Sequence, residues 1–147
     1  MEQDAIQDEV FGELNYDPPM QQWFADVELT PDCRIDVTIW WNEEDGPFAP
    51  ILARARETFL RFREREPEHR EALALAMLER YRSSKRSQED IPDADELVEE
   101  LIPEQLSIIT DGSADVLYDD ASDLFGDHCI MAELDLDGSF IGFSLQG

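Results

Sequence analysis

A block of helical apolar spacing lies between two stretches that alternate like strands, and this order constrains the fold more than any other feature of the chain. Within the block, Ile51, Leu52, Ala55, Phe59 and Phe62 recur at three- and four-residue steps, which sets them on one stripe of a helix and leaves Arg54, Arg61 and Arg65 for other faces. Pro67 then interrupts. Proline suits the first turn of a helix, so a second helix is expected beyond it, carrying Leu73, Ala76, Met77 and Tyr81. Residues 48–82 thus read as a helical hairpin. After the polar link Ser83 to Ser87, Asp93 or Asp95 can cap a short third helix through Leu97, Leu101 and Ile102.

The flanks alternate with period two. Before the block, strands are expected over Phe11 to Tyr16, Gln22 to Leu29 and Cys33 to Trp41, separated by Asp17-Pro18-Pro19 and Thr30-Pro31-Asp32. In the third of these, Ile35, Val37, Ile39 and Trp41 share one face, and Arg34, Asp36, Thr38 and Trp40 take the other. After the block come Gln105 to Thr110, Ala114 to Tyr118, His128 to Leu134 and Ser139 to Leu145. Asp137-Gly138 joins the last two, a dipeptide that tolerates the positive φ of a tight hairpin. The expectation is an α+β fold, with a mostly antiparallel sheet drawn from both flanks. The helical hairpin and the short third helix would pack on one face. Residues 11–147 would form one domain, with residues 1–10 frayed.

Charge follows the same division. Ten of the eleven basic residues lie between Ile51 and Arg86, while thirty of the thirty-six acids lie outside that stretch, for a net charge of −25. Arg34 is the one cation in either flank, so most flanking acids lack a local partner. Such a chain favours a basic macromolecule and repels a polyanion, which argues against direct nucleic-acid binding even by the arginine-rich block. The apolar content of 42% is too high for a disordered acidic tail. No apolar run approaches the ~18 residues of a membrane helix, and no signal-peptide pattern opens the sequence, so a cytoplasmic protein is expected. In that compartment Cys33 and Cys129 are expected as free thiols.

No catalytic constellation stands out. Asp119, Asp120, Asp123 and Asp127 gather before His128, as carboxylates do in metal hydrolases, but HxxxH, HxD and HExxH spacings are missing, and His69 reads as a solvated residue of the basic block. Asp135-Leu-Asp137-Gly138 resembles part of a calcium loop, yet it runs into Phe140-Ile-Gly-Phe143 where a closing Glu is required. His128 and Cys129 are neighbours on a strand and point to opposite faces, which opposes a nucleophile and base pair. No metal or cofactor is expected. Trp40 and Trp41, followed by Glu43, Glu44 and Asp45, could instead form an aromatic anchor rimmed by acids.

The run Asp123-Leu-Phe-Gly-Asp-His128-Cys-Ile130, continued by Glu133-Leu-Asp-Leu-Asp137-Gly-Ser-Phe140, resembles the closing motif of a family of uncharacterised bacterial proteins. Phe11-Gly-Glu-Leu14 and Trp23-Phe24 are similar to that family's opening. The resemblance implies no established activity. In character such small acidic α+β proteins are similar to the immunity proteins encoded beside bacterial toxins. The leading expectation is an immunity-type protein that binds and inhibits a cognate toxin, a nucleic-acid-targeting enzyme with a basic cleft. Its partner-binding residues would be Trp40, Trp41, Glu43, Glu44, Asp45, Asp119, Asp120, Asp123 and Asp127. Two alternatives are a nucleic-acid mimic that blocks a DNA-binding protein, and a metal-dependent hydrolase using the Asp119 to His128 cluster.

Overall fold

The computed structural model describes residues 5–83, 93–120, 129–136 and 138–146. Eight strands form one sheet in chain order: β1 (Ile6–Asp8), β2 (Gly12–Asp17), β3 (Gln22–Thr30), β4 (Cys33–Trp40), β5 (Leu101–Ile108), β6 (Ala114–Asp120), β7 (Cys129–Leu134) and β8 (Phe140–Gln146). Neighbours are antiparallel except β4 and β5, which run parallel with Asp36 beside Gln105 and Ile39 beside Ile108. A parallel pair needs a long crossover, and this one holds both helices, α1 (Phe48–Ser83) and α2 (Ala94–Glu100).

The sheet from both flanks is as expected, but the helical hairpin and third helix are not. Among the described residues there are two α-helices, and residues 48–83 form a single one that runs through Pro67. The reason lies in what fills the stripe around the proline. Phe59 and Phe62 precede it and Leu73, Ala74, Met77 and Leu78 follow it, all buried, and the turns between are filled by buried Glu66 and His69. Two polar residues therefore carry the buried stripe across the apparent break. Glu66 tolerates burial because Arg70 and the Tyr118 hydroxyl, at 3.0 Å, both donate to it. His69 stacks on Phe62 with ring planes 7° apart, and burial pushes its pKa down. It is not the solvated residue that the sequence suggested.

Alternation places the core on one side of the sheet. Trp23, Ala25, Val27 and Leu29 of β3, Ile35, Val37 and Ile39 of β4, and Val116 and Tyr118 of β6 join the α1 stripe in one buried cluster. Pro103 sits in the central strand β5 beside a register shift, where a missing N–H is tolerated. Asp93 caps α2 by accepting from the Glu96 amide at 2.8 Å, and Leu97 is buried beneath the helix; Leu101 and Ile102, expected in that helix, already belong to β5.

Part of the stretch expected to fray is structured. β1 pairs with β2, and Asp8 accepts from the amides of Val10 and Phe11 and from the Arg56 guanidinium. β7 and β8 pair antiparallel, and between them Gly138, with φ 85°, donates to the Asp135 carbonyl at 3.0 Å; Asp137 lies outside the described residues. Both cysteines are free.

Candidate functional site

The fold engages six arginines of α1 in contacts within the chain, while Arg65 stays exposed. Arg56 binds buried Asp8, Arg70 binds buried Glu66, Arg54 donates to the Thr110 carbonyl, and Arg61 donates to the Leu136 carbonyl at 2.9 Å. Arg63 and Arg80 lie over the rings of Phe59 and Phe143. Two of these contacts go to loop carbonyls rather than to acids and so leave flanking acids without a counter-charge from those arginines. The basic block ties the helix to the loops that follow β5 and β7.

What remains open is the sheet face opposite the helices. Outward positions on β2 to β4 and β6 to β7 include Asp17, Asp26, Glu28, Asp36, Asp115, Asp119 and Glu133, and Arg34 is the one basic residue among those described on this face. Two pairs of acids stand directly opposite each other on neighbouring strands, Asp26 with Asp36 and Asp115 with Glu133. Like charges so placed destabilise a sheet. Arg34 relieves the first pair only in part, bonding Asp26 at 3.0 Å. At the second, burial and then the Glu133 charge push the Asp115 carboxyl above its ordinary value. Among these acids the face also exposes Phe24 and Trp40.

The partner-binding residues expected from sequence do not form one surface. Trp41 is buried, packs between Tyr16 and Phe48, and donates to the Gly46 carbonyl at 2.8 Å. Trp40 points outward, away from α1, and its indole N–H donates to Ser107 Oγ at 2.9 Å. Glu43, Glu44 and Asp45 form a single 3-10 turn beyond β4, with Asp45 accepting from the Asn42 amide. Asp119 and the Asp120 backbone lie at the far end of β6, paired with Ile102 and Leu101. Because β4 and β5 are parallel and β6 runs back, the two acidic groups sit at opposite ends of the sheet. Asp123, Asp127 and His128 lie outside the described residues.

Sequence reasoning missed the central part of this face, where Phe24, Asp26, Asp36 and Thr38 meet. The strand alternation had put Asp36, Thr38 and Trp40 together, but only the register of β3 and β5 shows their neighbours. Among the described residues, no three His, Cys, Asp or Glu side chains converge as metal ligands, and no helix is long and apolar enough to cross a membrane.

A family model described as an uncharacterized protein conserved in bacteria (DUF2262) matches residues 8–145. No curated protein and no solved structure matches the chain.

Proposed function

This chain belongs to the DUF2262 family of bacterial proteins, and we propose that it is an acidic immunity-type protein, acting in the cytoplasm, that binds a basic toxin and blocks its nucleic-acid cleft. The observation that carries this reading is the split between spent and unspent charge. Six arginines of α1 are held by carbonyls, buried carboxylates and rings, whereas an open sheet face keeps opposed acids with one cation among its described residues. Such a surface steers a basic partner and raises association above the ~10⁵–10⁶ M⁻¹s⁻¹ of neutral pairs. Inhibition by occlusion needs no catalytic group.

The test is co-expression with the product of the adjacent gene. The neighbour alone should arrest growth, and this chain should relieve the arrest. A variant with Asp26, Asp36, Asp115 and Glu133 changed to Asn and Gln should relieve it poorly and bind with a flatter salt dependence. A harmless neighbour, or relief untouched by neutralising both this face and the Glu43, Glu44 and Asp119 acids, would overturn the reading.

A further inference from the structure

On the outer face, Thr38 occupies a dip between larger side chains. Across the strands it faces Phe24 on β3 and Ser107 on β5, and along β4 its same-side neighbours are Asp36 and Trp40. A short β-branched residue among long ones leaves a hollow of about 350 Å³, lined by Thr38 with Asp17, Gln22, Phe24, Asp36 and Gln105, and Trp40 stands beside it on β4. That volume lies at the small end of ligand pockets. Thr38 is 7% exposed, and its hydroxyl is buried with no hydrogen-bond partner among the described residues. Native proteins seldom leave such a group unpaired.

Resting on the reading of this face as the partner surface, we propose that the Thr38 hollow receives an arginine side chain of the bound protein. Three independent features select that group. Asp26 and Asp36 are opposed and Arg34 bonds Asp26, so Asp36 has no ion pair of its own among the described residues. The groups able to accept a hydrogen bond, the Asp36 carboxylate, the Thr38 hydroxyl and the Gln105 carbonyl, suit a donor-only group with several N–H bonds. Phe24 is 44% and Trp40 40% exposed, and aromatic faces attract a planar guanidinium. The Ser107 bond fixes the Trp40 ring beforehand. A lysine would meet the charge but not the fork of acceptors.

The probes are capped tetra-arginine and tetra-lysine peptides, titrated into the ¹⁵N-labelled full chain. The arginine peptide should shift Thr38, Gln22 and Gln105 most and bind about tenfold tighter than the lysine peptide, as one good charged hydrogen-bond set implies. Asp36→Asn should weaken it about tenfold, while Asp119→Asn should change it less than about twofold. Thr38→Val should weaken binding without lowering stability, because it removes an unpaired buried hydroxyl. Equal affinity for the two peptides, shifts spread over all acids, or equal loss with Asp119→Asn would overturn the pocket and leave the toxin reading standing. An intact arginine preference with no relief of growth arrest would do the reverse.

Discussion

Two aspartates show how local environment turns the same carboxyl group into a support or a burden. At Asp8 burial opposes ionisation, but the Arg56 bond and the amides of Phe11 and Val10 outweigh it, and its pKa is lowered from 3.8. Its contribution is present above that value and is lost as pH falls through the depressed folded one. Asp115 is the reverse case. Burial and Glu133 raise its pKa, so the folded state binds the proton more readily, and stability is lost as pH rises through the raised value. Asp115→Asn should therefore stabilise the protein at pH 7 by ~0.2–1 kcal/mol, a gain that fades towards acid pH, as urea titrations across pH would show. Tyr118 presents a third situation, since burial and then the Glu66 charge push its pKa well above the ordinary tyrosine value and keep it a donor. Tyr118→Phe removes one of the bonds to buried Glu66 and should cost ~1.5–3 kcal/mol, read as a lower urea midpoint at unchanged slope.

At the scale of an element, α1 is the informative case. An interior proline removes one backbone bond, here the one from position 67 to the Arg63 carbonyl, and ordinarily costs ~3 kcal/mol. The helix continues because both of its halves bury apolar residues in the same cluster and because the Glu66, Arg70 and Tyr118 bonds anchor the turn at the proline. Pro67 itself is exposed. Pro67→Ala should consequently raise stability by ~1–3 kcal/mol with no change of fold, checked by thermal unfolding and circular dichroism. No gain would mean that the site has already adapted to the missing donor.

Across the whole molecule, self-repulsion sets the dependence on solution conditions. With a net charge of −25 and six of its eleven cations tied to buried acids, carbonyls and rings, the folded chain holds many acids closer together than the unfolded chain does. The Debye length falls from ~30 Å at 0.01 M salt to ~10 Å at 0.1 M, so added sodium chloride should raise the unfolding midpoint. Complex formation should respond in the opposite sense, weakening with salt as steering is screened. Measuring both on one preparation separates the two effects. If salt leaves stability unchanged, the open acidic face does not strain the fold.

Much of this architecture was legible in one dimension. Alternation located most of the strands and assigned Ile35, Val37, Ile39 and Trp41 to the core side, because period two is a property of the strand itself. Gly138 likewise marked the connection of β7 to β8 through its preference for positive φ. The long helix was not legible, because its stripe crosses Pro67 on Glu66 and His69, residues that become core only when Arg70, Tyr118 and Phe62 arrive to partner them. The candidate surface was half visible. Sequence put Asp36, Thr38 and Trp40 on one side of a strand, but their meeting with Phe24, Ser107 and Gln105 depends on strand register. A register is fixed by the crossover and the packed core, and a local pattern cannot carry it.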